Sequence, residues 1–121
     1  MNPRQKEYFR RKLLKWREEL LSESSETLQH LQESASAEPD IADRASLETD
    51  RSIELRTRDR SRKLIAKIDE ALQRIEDSSY GYCEDTGEPI SLRRLDARPI
   101  ATLSIEAQER HERLERTRRD D

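Results

Sequence analysis

The sequence contains little of what most globular folds and most enzymes are built from. Of its 121 residues one is Cys, two are Gly and four are Pro, and 4% are aromatic. A single Cys excludes an internal disulfide and is typical of a reducing compartment, and the scarcity of Gly and Pro argues against a loop-rich or low-complexity chain. No stretch approaches the roughly 18–20 apolar residues of a membrane span, and residues 1–21 lack the apolar core of a secretory signal. We therefore expect a cytoplasmic protein without a membrane anchor.

Charge is what the sequence has in excess. Asp, Glu, Lys and Arg make up 42% of the chain and hydrophobic residues 31%, whereas an ordinary globular domain is about 25% charged. Such a composition favours long helices that share a narrow apolar seam. Residues 1–21 hold seven bases and three acids, and residues 22–50 hold one base and eight acids. Because DNA binding requires clustered cations, the acidic segment should repel DNA and favour a cationic partner, a metal ion or a proton.

The spacing of apolar residues predicts two long helices. In residues 4–33 these positions recur in steps of three and four with a return after seven, which is typical of a two-stranded coiled coil. Residues 34–40 are small or polar and include a Pro, so they predict a turn. A second helix is predicted over about residues 42–77, with a dense apolar seam toward its end and a thin one near its start. The short connection makes the helices antiparallel, so residues 1–77 should form a helical hairpin with an acidic tip at about residues 34–45.

Residues 78–121 follow a different pattern and should form a second, smaller domain. Both glycines lie in residues 78–90, which predicts turns and short strands. A short helical turn is predicted at residues 91–98, a strand-like run at residues 100–103, and a charged helix from residue 105 to about residue 118. This module has too few apolar residues to fold alone. We expect it to pack around Tyr80, Tyr82, Ile90, Leu92, Leu95, Ile100 and Leu103.

Signatures of catalysis and of metal binding are missing from the sequence. It has no G-x-x-x-x-G-K-[ST] phosphate-binding loop. His30 and His111 have no second ligand at metal spacing, so we interpret both as solvated helix-surface residues. The small module has the layout of a zinc finger whose ligands are degenerate, at positions Cys83, Thr86, Ser104 and Ala107. One thiolate, two hydroxyls and a methyl group cannot bind zinc tightly, so we expect a protein without a bound metal and without enzymatic activity.

Several motifs, in their order and spacing, resemble those of the DksA/TraR family of bacterial transcription regulators. They are Asp40-Ile41-Ala42-Asp43-Arg44-Ala45, Glu54-Leu55-Arg56-Thr57-Arg58-Asp59-Arg60, Arg62-Lys63-Leu64-Ile65, Tyr80-Gly81-Tyr82-Cys83 and Arg93-Arg94-Leu95-Asp96-Ala97-Arg98-Pro99. The resemblance covers almost the whole chain. It implies a mainly α fold with a long antiparallel coiled-coil hairpin, a small zinc-finger-like module and a C-terminal helix. The single Cys resembles the low-cysteine branch of the family, which functions without zinc.

The resemblance also implies a partner and a function. Members of the family bind bacterial RNA polymerase directly, without binding DNA, and insert the hairpin into its secondary channel. There they alter the stability of initiation complexes, repressing ribosomal RNA promoters and activating some amino-acid biosynthesis promoters, usually together with the alarmone ppGpp. A self-contained hairpin is consistent with a monomer.

The family's functional positions fall on specific residues of this sequence. The coiled-coil tip residues are Asp40, Asp43 and Ala45. The polymerase-contacting residues are Arg56, Arg60 and Arg94. The ppGpp-binding positions are Leu64, Lys67, Arg98 and Gln108. The last of these is a Lys in the family, so one cation that a pyrophosphate would bind is missing here.

Three other functions are consistent with parts of the sequence. Asp40 and Asp43 could serve as helix caps in a structural coiled-coil adaptor, because Asp satisfies free N–H groups at a helix N-terminus. A transcript-cleavage factor would use a similar hairpin with tip acids that hold a metal ion. A direct DNA-binding protein is the least consistent with the charge distribution.

Overall fold

The protein is mainly α-helical. The computed structural model describes residues 1–35 and 41–120. The helices in these residues are α1 (Pro3–Ala35), α2 (Ile41–Glu76), α3 (Leu92–Ala97) and α4 (Ile105–Asp120). Over the same residues the only β pairing is one isolated bridge between Tyr82 and Pro89, so the strand-like run predicted at residues 100–103 is wrong. A turn was predicted at residues 34–40, but α1 continues through residue 35, so the first two of these residues are helical. Residues 36–40 lie outside the described residues, and the turn there stays a prediction.

α1 begins with two reciprocal hydrogen bonds. The backbone N–H of Gln5 donates to Asn2 Oδ1 at 2.8 Å, and the backbone N–H of Asn2 donates to Gln5 Oε1 at 3.1 Å. This is the geometry of a capping box, which satisfies two backbone donors that have no partner within the helix. Pro3 occupies the first helical position, where its missing N–H costs nothing.

α2 ends at Glu76, within one residue of the end predicted at about residue 77, and is soon followed by Ser78. This residue adopts a left-handed conformation with φ 66°. The N–H groups of Ser79 and Tyr80 both donate to the carbonyl of Arg74, at 2.9 and 3.1 Å. A left-handed residue followed by bonds back to the last turn is the usual way in which a helix terminates. The non-helical segment that contains both glycines follows this helix end.

The chain divides into two compact units. We call residues 14–69 the hairpin unit, and residues 1–13 together with 70–121 the finger unit. The boundary predicted between residues 77 and 78 was drawn from sequence pattern and stays a prediction. In the part of the chain that the structure describes, no helix combines the length and the apolar character needed to cross a membrane.

In the hairpin unit α1 and α2 run antiparallel. Arg17 Nε lies 2.7 Å from Asp69 Oδ1, and His30 Nδ1 lies 2.8 Å from Glu54 Oε1, so the partner on α2 moves backward as α1 moves forward. Among the side chains that the structure describes in this unit, the buried ones are Leu20, Ser61 and Ile68. None of the side chains described in residues 46–60 is buried, which agrees with a seam that thins toward the start of α2. The predicted fold class is confirmed.

The finger unit has a core drawn from several elements. Its buried apolar residues are Phe9, Leu13, Ala71, Ile75, Tyr80, Cys83, Ile90, Leu95, Ala101 and Ala107. The prediction that Tyr82 and Leu92 belong to this core is wrong, because they are 44% and 46% exposed. Ile100 and Leu103 are half-buried. The finger unit therefore has a core, but α1 and α2 supply part of it.

Candidate functional site

The predicted acidic tip surrounds the start of α2. Asp43 and Ala45 belong to the first turns of that helix, which begins at Ile41. Their side chains lie outside the described residues, as does Asp40. Acidic residues at this end of a helix interact favourably with its dipole. Capping and a functional role are therefore compatible at these positions, and both stay predictions.

Arg56 and Arg60 lie on the exposed surface of α2. They are four residues apart, so their side chains share one face of the helix. Among the described residues neither guanidinium has an ion-pair or hydrogen-bond partner. This face therefore presents two cations that are available to an acidic partner.

Arg94 has a structural role that the sequence did not reveal. Its side chain is half-buried, and Nε donates to the carbonyl oxygen of Leu103 at 2.8 Å. Its backbone N–H donates to Ser91 Oγ at 3.2 Å, which caps α3. Arg94 therefore joins α3 to the segment before α4, and its substitution would disturb the finger unit as well as any partner contact.

The four predicted ppGpp-binding positions are divided between the two units. Leu64 is half-buried and Lys67 is exposed, both in the hairpin unit. In the finger unit Arg98 is exposed just after α3, and Gln108 is half-buried in α4, where its Nε2 donates to Glu112 Oε1 at 3.3 Å. Lys67 and Arg98 are thus exposed cations, while the amide of Gln108 supplies no charge.

The degenerate zinc-ligand positions do come together in the finger unit. Cys83 is buried at 2% exposure, and its carbonyl accepts from the N–H of Gly87 at 2.9 Å in a tight turn. Hydrogen bonds from the backbone of Ser104 and the side chain of Thr86 lower the pKa of the Cys83 thiol to about 6. Ser104 also caps the N-terminus of α4, because its Oγ accepts from the N–H of Ala107 at 3.2 Å.

These positions do not fit a structural zinc ion. Ala107 is fully buried and carries no donor atom. The hydroxyls of Thr86 and Ser104 accept backbone N–H groups, at 3.2 Å in each case. Zinc in structural sites requires four thiolate or imidazole ligands, and here Cys83 offers the one thiolate. Across the described residues no three His, Cys, Asp or Glu side chains form a group able to hold a metal ion.

The histidines have carboxylate partners that the sequence did not reveal. His30 pairs with Glu54 in the hairpin unit, and His111 Nε2 lies 2.7 Å from Asp85 Oδ2 in the finger unit. Each imidazole remains at least half exposed. Both histidines are therefore solvated helix-surface residues, as predicted, and each also has a carboxylate partner that the prediction did not include. Their partners lie 24 and 26 positions away in the sequence, so local patterns carry no signal for them.

Two regions of the chain match known protein families. Residues 5–75 match the family described as the DnaK suppressor protein DksA, N-terminal domain. Residues 78–113 match the prokaryotic dksA/traR C4-type zinc finger. The description of the second family implies four cysteine ligands, whereas this chain has one Cys. This agrees with the predicted low-cysteine branch.

Individual relatives resemble the chain along most of its length. It is 69% identical over 121 residues to the RNA polymerase-binding transcription factor DksA of Caulobacter vibrioides (strain NA1000 / CB15N), covering all of this chain and 85% of that protein. It is 49% identical over 106 residues to the factor of the same name from Escherichia coli (strain K12), covering 88% of this chain and 70% of that one. The solved structure of transcription factor DksA2 from Pseudomonas aeruginosa superposes with a TM-score of 0.90 at 45% identity, over 96% of this chain and 89% of that chain. The chain therefore belongs to the DksA/TraR family.

Proposed function

We propose that this protein is a non-catalytic transcription regulator that binds bacterial RNA polymerase. The observation that carries the proposal is the 69% identity over the whole chain with a factor named for polymerase binding. The guanidiniums of Arg56 and Arg60 are exposed on α2 and have no partner within the described part of the chain, which supports a contact with an acidic protein surface. A regulator of this kind acts in the cytoplasm, and the self-contained pairing of α1 with α2 supports a monomer.

The hairpin is the part that would enter the secondary channel of the polymerase. Residues 22–35 and 41–50 of the acidic segment lie at the end of α1 and the start of α2. Because these helices pair antiparallel, both stretches lie toward the same end of the hairpin unit. A polymerase active centre contains metal ions and basic groups, so Asp40 and Asp43 would meet opposite charge there, while the same acids disfavour DNA. In this proposal the protein changes the stability of initiation complexes, repressing ribosomal RNA promoters and activating some amino-acid biosynthesis promoters.

The alarmone ppGpp would act at the contact between the regulator and the polymerase. Lys67 and Arg98 are exposed cations of the type that binds a pyrophosphate. Gln108 replaces a third cation with an amide that already donates to Glu112. We therefore expect ppGpp to enhance regulation, but with weaker binding than a Lys at position 108 would give.

Transcription of a ribosomal RNA promoter in vitro, with and without the protein and ppGpp, tests this function. Wild-type protein should reduce the transcript, and ppGpp should strengthen the effect. Asp40→Asn and Asp43→Asn should abolish regulation while leaving the unfolding free energy nearly unchanged, because Asn caps helices about as well as Asp. Glu48→Gln removes an exposed acid elsewhere on α2, so it is the matched control and should regulate normally.

Each other outcome supports a different function. Full regulation by both Asn variants would favour a structural adaptor whose acids only cap α2. Cleavage of the transcript in backtracked complexes, dependent on the same acids, would identify a transcript-cleavage factor. A gel shift of promoter DNA in the absence of polymerase would identify a DNA-binding protein.

A further inference from the structure

A groove in the finger unit contains none of the predicted functional positions discussed above. It has a volume of about 440 Å³ and lies between the start of α1 and α3. This is within the range of about 300–1,000 Å³ that is common for ligand sites. Its apolar lining comes from Tyr8, Phe9 and Leu92. Phe9 is buried at 3% exposure, whereas Tyr8 and Leu92 are about half exposed, so the groove has a buried floor and accessible walls.

A hydrogen-bonded network shapes one wall of this groove. The Tyr8 hydroxyl donates to Asp96 Oδ1, and Lys12 Nζ donates to the same oxygen at 2.7 Å and to the Asp96 carbonyl at 2.6 Å. The Lys12 ammonium and the Tyr8 hydroxyl lower the pKa of Asp96. The Tyr8 ring also packs edge-on against Phe9, with ring centroids 5.0 Å apart. The wall is therefore ordered before any ligand binds, which reduces the entropic cost of binding.

The groove carries an uncompensated positive charge. Arg4 and Arg93 line it and are both exposed. Among the described residues neither guanidinium has a hydrogen-bond or ion-pair partner. Asp96, the acid of the lining, is already engaged by Lys12. Two guanidiniums beside an apolar floor are complementary to carboxylates that accompany a large apolar side chain, since Arg binds carboxylates in a bidentate manner.

We propose that this groove docks a short acidic segment of a partner protein, which inserts one bulky apolar side chain over Phe9 and pairs its carboxylates with Arg4 and Arg93. Apolar anchors in pockets, surrounded by polar contacts, dominate the energetics of most protein interfaces. A purely electrostatic site would not need the exposed Leu92 and Tyr8 walls. A purely apolar ligand would leave both guanidiniums without partners. The proposal does not depend on polymerase binding, so either can fail without the other.

The test uses the full-length protein and a fluorescently labelled, end-blocked hexapeptide made of a Phe-Leu pair flanked on each side by two acidic residues. Binding is measured by fluorescence anisotropy. Arg4→Glu and Arg93→Glu should each weaken binding by about tenfold or more, the change expected for the loss of a charge-assisted contact. Both substitutions place an acid in the first turn of a helix that has none there, where it favours helix formation. Both variants should therefore keep the fold, and circular dichroism of each variant checks this.

The controls separate this site from general attraction of charge. Lys63→Glu makes the same type of charge change at an exposed α2 residue that does not line the groove, and it should leave binding within about twofold, as expected of a solvent-screened charge. Replacing Phe-Leu in the peptide by Ser-Ser, or its acids by their amides, should abolish binding. Equal binding of the Ser-Ser peptide would overturn the proposal, as would equal weakening by Lys63→Glu. Displacement of the peptide by inorganic pyrophosphate or by an RNA oligonucleotide at lower concentration than unlabelled peptide would assign the groove to a small anion or to nucleic acid instead.

Discussion

Replacing Tyr80 with Phe removes one oxygen atom from the core of the finger unit. Tyr80 is 2% exposed, and its hydroxyl donates to the carbonyl oxygen of Pro99 at 2.7 Å. The ring packs against Phe9 with centroids 5.7 Å apart, and Phe would keep that contact. The variant therefore isolates the hydrogen bond from the packing.

The cost of this change follows from the burial of both partners. A hydrogen bond contributes about 0.5–1.5 kcal/mol net, and a buried acceptor left without a donor costs about 1–3 kcal/mol. Because Pro99 is itself buried, water cannot readily replace the hydroxyl. We expect Tyr80→Phe to lower the free energy of unfolding by about 1–3 kcal/mol, and the melting temperature by about 4 °C for each kcal/mol.

Urea unfolding followed by circular dichroism measures this loss, and Tyr82 provides the control. Tyr82 lies two residues away and is 44% exposed, so Tyr82→Phe should change stability by less than about 0.5 kcal/mol. The slope of unfolding free energy against urea should be the same for all three proteins. Equal stabilities of the two variants would refute the claim that the Tyr80–Pro99 bond is buried and unreplaced.

The buried hydroxyl of Tyr80 should also make the stability of the protein depend on pH. Burial raises the pKa of Tyr80 above its ordinary value of 10.0. The unfolded chain therefore loses this proton first as pH rises, and the folded state is favoured fully only below the unfolded pKa. We expect the wild-type advantage over Tyr80→Phe to be constant below about pH 9 and to shrink above about pH 10. An advantage that grows with pH would contradict the assignment.

Three further predictions concern the degenerate ligand positions. Ultraviolet absorbance of the Cys83 thiolate should titrate near pH 6, and Thr86→Val should raise that pKa by removing a hydrogen-bond donor. Because the pKa of Cys83 is depressed in the folded state, the stability that the thiolate contributes is full above about pH 9 and is lost as pH falls through 6. Ser104→Ala removes the cap of α4 and should cost about 1 kcal/mol in urea unfolding, whereas Ser104→Asn should retain most of the stability. Elemental analysis of active protein should find no stoichiometric zinc, and a chelator should leave the melting temperature unchanged; one zinc per chain would reject this.

The helices were predictable because their signals are local. The apolar spacing in residues 4–33 and the polar run at residues 78–79 depend on neighbours in sequence, and the ends of α1 and α2 agree with these predictions to within about three residues. The Asn2–Gln5 capping box also depends on a local signal, because its two side chains are three residues apart in the sequence. The helices and their ends can therefore be predicted from short stretches of this sequence.

The contacts of the finger unit were not predictable for the opposite reason. Tyr8 and Asp96 are 88 positions apart, and Asp85 and His111 are 26 apart. In a chain that is 42% charged, each carboxylate has many possible partners, and only the folded arrangement selects one. Leu92 was assigned to the core from its hydrophobicity alone, yet it is a wall of the groove. The tip and polymerase-contacting positions likewise came from family motifs, since acids and bases at those positions have ordinary structural interpretations.

The finger unit shows how a zinc-finger layout can be held without a complete set of ligands. In a four-cysteine finger the metal joins two ligand pairs. Here the positions of the second pair are occupied by Ser104 and Ala107. Four hydrogen bonds join residues 99–104 to other parts of the finger unit. The hydroxyl of Tyr80 donates to Pro99, Nε of Arg94 donates to Leu103, the N–H of Glu84 donates to Thr102, and the backbone N–H of Ser104 donates to the sulfur of Cys83. In a zinc finger a single metal ion supplies much of the folding free energy, so removing the metal unfolds the whole domain. Separate hydrogen bonds fail one at a time, so single substitutions here should produce graded losses of stability and not complete unfolding.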